Sequence, residues 1–268
     1  LGGARPRARR AVTLLALQNV AVAYGTRRVL GPVSLTLSAG QRLAIIGQSG
    51  SGKSTLATGI AGLLPSGAAV TGTLRWPGLP YPARPGADFG VVFQDASGSL
   101  DPLMRVGRQV AEVIETHTPR RGRAARAQAV ELLEQLGLPD PGGMAEAWPH
   151  QLSGGQRQRV ALACALAADP VLLIADEMTS ALDTLAQARI VSLVDRLVRD
   201  RGMALLFVTH DIALAARLGA DSLVLHEGRA VDFIAAGQSL AEAGNPATRA
   251  LLAAHRDLVT PPLIASGR

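Results

Sequence analysis

The segment Gly47-Gln48-Ser49-Gly50-Ser51-Gly52-Lys53-Ser54 constrains this chain more than any other part of it. It fits the pattern G-x-x-x-x-G-K-[ST], with strand-like Leu43-Ala44-Ile45-Ile46 before it and a helical pattern over Thr55–Leu63 after it. Glycines let the backbone curl until successive N–H groups face inward. The start of the following helix adds partial positive charge, so the segment makes a nest for anionic phosphates, with Thr55 at its exit. On this reading Lys53 reaches the β and γ phosphates and Ser54 reaches Mg²⁺. A Gly/Ser turn between strand and helix is the plainer alternative.

The cationic composition singles out the same place. The chain holds 26 Arg and one Lys, Lys53. Where either cation serves, Arg has replaced Lys, so the surviving ammonium marks a position where a planar guanidinium fails. The remaining bulk properties bound the answer without deciding it. A length of 268 residues allows one compact unit, or a core with a subdomain. A formal charge of +6 fits nucleic acid, anionic headgroups or a phosphate ligand equally well. The apolar runs Ala11–Leu17 and Val160–Ala168 are too short to span a bilayer. Arg5, Arg7, Arg9 and Arg10 before Ala11–Leu17 imitate a secretory signal, but no small-residue cleavage site follows, so residues 1–11 are expected to be a flexible basic tail. The single Cys164 excludes an internal disulfide, and its apolar neighbours place it in a helix core.

Further candidates stand at the ends of apolar runs. Val171-Leu172-Leu173-Ile174-Ala175 leads into Asp176-Glu177, as expected of a parallel strand buried on both faces whose C-terminal end meets a ligand. Asp176 is suited to hold Mg²⁺ through its water shell, and Glu177 to polarise an attacking water. Ala204–Thr209 delivers His210, which can hydrogen-bond a γ-phosphate and hold water and Glu177 in line. Gln94 follows the strand-like run 89–93 and offers an amide oxygen to Mg²⁺ and water. Tyr24, in a turn after the first strand, can stack on a purine face. Leu152-Ser153-Gly154-Gly155-Gln156 supplies a capping Ser and two glycines before a helix over Gln156–Ala168. That is either a capped helix start or a second anion site, completed by the loop of a facing subunit.

In this order and spacing the motifs resemble the nucleotide-binding subunit of ABC transporters. They are Tyr24, the phosphate loop 47–54, Gln94, LSGGQ at 152–156, the Walker B run 171–177, Ser180-Ala181-Leu182-Asp183 and His210, and they span roughly residues 14–235. The resemblance implies ATP with Mg²⁺, hydrolysis between two paired subunits, and Asp183 as a residue of dimer communication. It also implies two membrane permease subunits, an extracytoplasmic substrate-binding protein, no nucleic acid, and a place on the cytoplasmic face of a bacterial inner membrane. ATP over GTP agrees with the residues themselves, since neither Asn19 nor Asn245 precedes a Lys. Met178 departs from the family, which mostly carries Pro after the catalytic Glu; this puts the tightness of that turn in doubt.

Alternating strands and helices predict an α/β fold with a largely parallel sheet, and the resemblance implies a P-loop NTPase (RecA-like) core with an N-terminal antiparallel β element and an inserted helical subdomain. Strands are expected near 14–22, 33–37, 43–46, 89–93, 171–175, 204–209 and 222–226, and helices over Val106–His117 and Ala124–Leu136. Residues 12–95 and 161–240 form the expected core and 241–268 a helical tail, while the resemblance makes 96–160 the helical subdomain that receives a permease helix. Trp76–Gly86, with four prolines, reads as a loop.

The segments 94–102, 182–188 and 245–252 resemble the peptide and nickel importer branch, in which two non-identical ATPases serve one permease pair. Overall brevity and Leu251–His255 tilt that resemblance toward nickel or a nickel chelate over short peptides. Asn245 and Ala247 depart from the branch's usual pattern and weaken it. A soluble ABC-type ATPase acting on nucleic acid or the ribosome is the alternative that the charge favours. A non-catalytic module using ATP as a conformational ligand is opposed by Glu177 and His210.

Overall fold

Two rhythms of burial divide the strands and set the architecture. The computed structural model describes residues 12–80, 82–93, 98–178, 184–238 and 244–259. Within them β1 (Thr13–Tyr24) and β2 (Arg27–Ser38) form an antiparallel hairpin, with Thr13 opposite Ser38 and Tyr24 opposite Arg27. In β2 Val33, Leu35 and Leu37 are buried while Pro32, Ser34 and Thr36 are exposed, the period of two of a sheet with one wet face. By contrast β3 (Arg42–Gly47) is buried without a break from Leu43 to Gly47, as a parallel strand covered on both faces must be.

The rest of the chain extends these two sheets. After α1 (Lys53–Ile60), β4 (Ala68–Arg75) returns to pair antiparallel with β1, Ala16 opposite Arg75. Then come β5 (Phe89–Val92), α2 (Val106–His117), α3 (Gly122–Gln135), the short α4 (Pro141–Ala145), and α5 (Gly154–Leu166). Next are β6 (Leu172–Asp176), α6 (Thr184–Arg201), β7 (Ala204–Thr209), α7 (Ile212–Arg217), β8 (Asp221–His226), β9 (Arg229–Ile234) and α8 (Pro246–Val259). Among the described residues one sheet has the order β2-β1-β4, and the other β5-β6-β7-β3-β8-β9, parallel except for β9. This is the expected α/β architecture, with a parallel core and an antiparallel N-terminal element.

Alternate residues of the central strands build two cores. Ala44, Ile46, Leu205 and Phe207 face the helices, packing with Val110, Ile114, Leu133 and Leu162. Leu43, Ile45, Leu206 and Val208 face the antiparallel sheet, meeting Leu15, Leu17, Val33 and Leu37. The sheet is therefore a two-sided partition, with about 1.5–3 kcal/mol of burial behind each large side chain.

Several elements differ from expectation. Strands β4 and β9 were not foreseen: both are short of alternation and largely exposed, and β4 is interrupted by Gly72, so neither carries a periodic signal. Strand β2 begins at Arg27 because pairing with β1 extends beyond its apolar stretch. Helices α1 and α5 begin two residues early, the latter because Ser153 caps it. The described residues of the Trp76–Gly86 segment lie outside the strands, but Trp76 stacks on Phe89 with ring centroids 4.9 Å apart, so its entry is anchored. Cys164 is partly buried against the helical core, and desolvation pushes its thiol up to about 12.

Helix α5 lies directly on β5: a Cβ at Gly90 would fall 2.1 Å from the Ala165 carbonyl oxygen. Because that obstacle is backbone, it cannot rotate away. Gly90→Ala should destabilise the fold by about 1–3 kcal/mol through overpacking, read as a lower urea midpoint at unchanged slope.

Candidate nucleotide site

Parallel pairing delivers the candidate residues to one edge of the larger sheet. Ile46 lies opposite Thr209 across β3 and β7, and Asp176 opposite Val208 across β6 and β7. The C-terminal ends of three adjacent strands therefore open onto the loop between β3 and α1, the place where open α/β sheets bind ligands. In that loop Gly52 has φ 94°, a conformation that costs little only for glycine. Leu56 N donates to Gly52 O at 2.9 Å, starting α1 immediately after the bend.

Lys53 is 5% exposed, and its Nζ donates to the Gln48 carbonyl at 2.8 Å, so the ammonium crosses the loop from end to end. Desolvation pushes Lys53 below the ordinary lysine range, opposed by the charges of Glu177 and Asp176. Ser54 Oγ donates to Asp176 Oδ1 at 3.1 Å, joining residues 122 positions apart. Asp176 is 6% exposed, and burial raises its pKa; the Ser54 hydrogen bond and the Lys53 charge oppose the rise, while Glu177 adds to it. Glu177 has φ 44°, unusual for a non-glycine residue, and its amide donates to the Val208 carbonyl at 3.1 Å. The carboxylate is thereby turned out of the strand just beyond Asp176. His210 Nδ1 stands 3.6 Å from Glu177 Oε1, longer than a hydrogen bond, and the imidazole is largely exposed.

Other predicted residues stand elsewhere. Tyr24 ends β1, paired with Arg27 and Ala68 and half-buried against the inter-sheet core. Ser153 is the N-cap of α5: its Oγ accepts from the Gln156 amide at 3.3 Å, and Gln156 Oε1 accepts from the Ser153 amide at 2.8 Å. This reciprocal capping box leaves Ser153 and Gly154 exposed, with Leu152 buried beneath them. Met178 is 4% exposed in the helical core, so the turn after Glu177 is anchored by packing. Gln94 and Asp183 lie outside the described residues.

Two features here were not read from the sequence. Ser51 Oγ is buried without a hydrogen-bond partner inside the loop, and the Thr209 hydroxyl accepts from the Asp211 amide at 2.9 Å, shaping the exit to His210. Ser51 was read as part of the phosphate loop but with no role for its hydroxyl; Thr209 could have been found as a Ser/Thr turn before the Asp211 cap.

The raised pKa of Asp176 has a definite sign for stability. A carboxyl whose folded pKa exceeds its unfolded value contributes most below the ordinary carboxylate range, and that contribution is lost as pH rises through the raised value. Without nucleotide, Asp176→Asn should therefore be more stable than the parent at pH 7. The gap should close as pH falls toward the carboxylate range of about 4, measured by urea unfolding at several pH values.

The sequence profile of the family described as ABC transporter matches residues 30–180, more than half of the chain. The chain is 42% identical over 209 residues to the oligopeptide transport ATP-binding protein OppD of Mycobacterium tuberculosis, covering 75% of this chain and 34% of that protein. It is 36% identical over 258 residues to OppD of Bacillus subtilis, covering 91% of this chain and 72% of that protein. The chain thus spans about a third of the mycobacterial relative's length. A solved dimeric ATP-binding cassette, in a post-hydrolysis state with ADP and Pi, superposes with a TM-score of 0.73 at 29% identity over 84% of this chain and all of that one. Fold, profile and relatives agree with the clustered loop, lysine and acid pair: the chain belongs to the ABC transporter family.

Proposed function

We propose that this chain is the ATP-binding and ATP-hydrolysing subunit of an importer, acting at the cytoplasmic face of a bacterial inner membrane. The observation that carries this reading is the convergence of Lys53, Ser54, Asp176 and Glu177 from two strand ends at one loop. The loop amides and the Lys53 ammonium bind the β and γ phosphates, with Lys53 exchanging the Gln48 carbonyl for phosphate oxygen. Tyr24 stacks on the base.

The donor set fits Mg²⁺. Ser54 Oγ and Asp176 offer hard oxygen ligands, and Asp176 is a buried carboxylate whose charge is only partly compensated. Two carboxylates against one ammonium would repel a triphosphate arriving alone, so a divalent cation restores the charge balance. Ser54, Asp176 and Gln94 would hold it, and when bound it neutralises charge on the phosphates. Glu177 orients and deprotonates the attacking water, and His210 steadies the γ-phosphate side. The capped start of α5 faces the nucleotide of a second ATPase subunit, with Asp183 passing the state of one site to the other.

For cargo we take short peptides, because the OppD relatives are oligopeptide transport proteins. These also support an importer over a soluble ATPase acting on nucleic acid or the ribosome. Nickel or a nickel chelate remains the other cargo, resting on Leu251–His255. The partners are a second, non-identical ATPase, two permease subunits and an extracytoplasmic binding protein. No helix among the described residues is long and apolar enough to cross a membrane, and membrane passage is assigned to the permeases. We assign the permease contact to a groove of about 400 Å³ lined by Leu103, Arg105, Arg126, Val130 and Trp148. Leu103 is 84% exposed at its rim, and Arg105 lies over the Trp148 ring at 5.8 Å.

Glu177→Gln should keep ATP affinity while turnover falls about 10²- to 10⁴-fold; near-parental turnover would remove Glu177 from its role. Leu103→Asp should leave the ATPase activity of the isolated subunit unchanged but abolish its stimulation by the permease pair with peptide. Stimulation by nickel and not by peptide in the same assay would reassign the cargo.

A further inference from the structure

Three parts of the fold meet at the tip of the β8–β9 hairpin. Glu227 and Gly228 form its two-residue turn, both with positive φ, 47° and 75°, which suits the twist of a tight hairpin. The Gly228 amide donates to the Ser51 carbonyl at 3.2 Å, while the Gly228 carbonyl accepts from the Gly31 amide of β2 at 2.7 Å. The tip is thus bonded to the phosphate loop on one side and to the antiparallel sheet on the other.

There is no slack in this contact. A Cβ on Gly228 would lie 2.7 Å from the Val29 carbonyl oxygen, and one on Gly52 would lie 3.1 Å from the same oxygen and 3.6 Å from Gly228 Cα. At the opposite end of the loop, Gly47 pairs with Leu225 of β8, and a Cβ there would fall 2.3 Å from the Leu225 carbonyl oxygen. The hairpin therefore meets the loop at both its first glycine and its last.

The bond to Ser51 has a directional consequence. In a trans peptide the carbonyl and the following N–H point in opposite directions. With the Ser51 carbonyl held toward Gly228, the Gly52 N–H is aimed away from the hairpin and across the loop. A phosphate nest works only if such N–H groups converge. The Ser51–Gly52 peptide needs such a hold, because a glycine at Gly52 leaves both sides of the map open to it.

We propose that Gly228 is a positioning residue for the phosphate loop: its amide holds the Ser51–Gly52 peptide in the orientation that phosphate binding requires, and its carbonyl ties that orientation to β2. The inference rests on the reading of the loop as an ATP site. It adds a residue 175 positions beyond Lys53, outside every motif of the chain.

The test compares Gly228→Ala with Gly67→Ala in the full chain. Gly67 has φ 91°, so alanine is strained there too, but a Cβ at Gly67 meets nothing within 4 Å. Thermal unfolding records the common cost of strain, and titration with a fluorescent ATP analogue records the site. Gly228→Ala should weaken nucleotide binding about tenfold or more, while Gly67→Ala, which carries the strain without the clash, stays within about twofold. Parental affinity in Gly228→Ala, or equal losses in both variants, would overturn the proposal.

Should Gly228→Ala not fold, hydrogen exchange on the parent protein decides. Saturating ATP should slow exchange of the Gly228 amide together with loop amides 48–54, and unchanged exchange at Gly228 would overturn the proposal. Failure of the parent to bind the analogue would instead sink the ATP-site reading, so the two failures are separable.

Discussion

Parallel pairing of β3 with β7 on one side and β8 on the other is the constraint on which the site depends. It holds Gly47 opposite Leu225 and Ile46 opposite Thr209, and through β7 it brings Asp176 level with Val208. A one-residue slip in any of these ladders would turn the strand's side chains to the wrong face. It would also exchange Leu205 and Phe207 with Leu206 and Val208 between two cores that differ in depth and partners. Register is therefore held by hydrophobic burial, and the polar site inherits its geometry from it.

The polar groups do not stabilise the fold on their own account. Lys53 is pushed down and Asp176 up by the same burial, so both carry desolvation that their mutual attraction only partly offsets. Such strain is expected where charges are held ready for a ligand. Glu177 adds a backbone example, a non-glycine residue at positive φ whose amide is tied to β7 and whose successor Met178 is buried in the helical core. Packing at Met178 does the anchoring that the unusual turn requires.

What was legible in the sequence follows from the range over which each signal is written. The loop and the acid pair are local patterns next to strongly apolar strands, so the convergence of Ser54 with Asp176 could be anticipated across 122 positions. Helix α2 was read to its observed ends because its apolar face, Val106, Val110, Ala111 and Ile114, has helical spacing and its last residue precedes an extended Thr118. Strands β4 and β9 were illegible for the opposite reason. β4 is held by pairing with the distant β1 and β9 by pairing with β8 across a two-residue turn, and few side chains of either are buried, so no period is imposed on their residues. The Gly228 contact was hidden for the same cause, since a turn dipeptide reports a hairpin but not what the hairpin touches.

The two helix starts proposed as anion sites differ in a way that bears on how the proposed function works. At α1 the amides are curled by glycines around a buried ammonium, and the loop is braced at both ends by the β8–β9 hairpin. At α5 the start is satisfied by its own capping box, with Ser153 and Gly154 exposed above the buried Leu152, whose carbonyl accepts from Arg157 at 2.6 Å. A rigid, pre-formed nest is suited to hold a ligand within one chain. An exposed, self-capped start gains little by binding an anion from water, since its donors at Ser153 and Gln156 are already engaged. It becomes useful when a ligand is presented already desolvated by another surface, and under the proposed function that asymmetry gives a physical reason for pairing two subunits around the nucleotide.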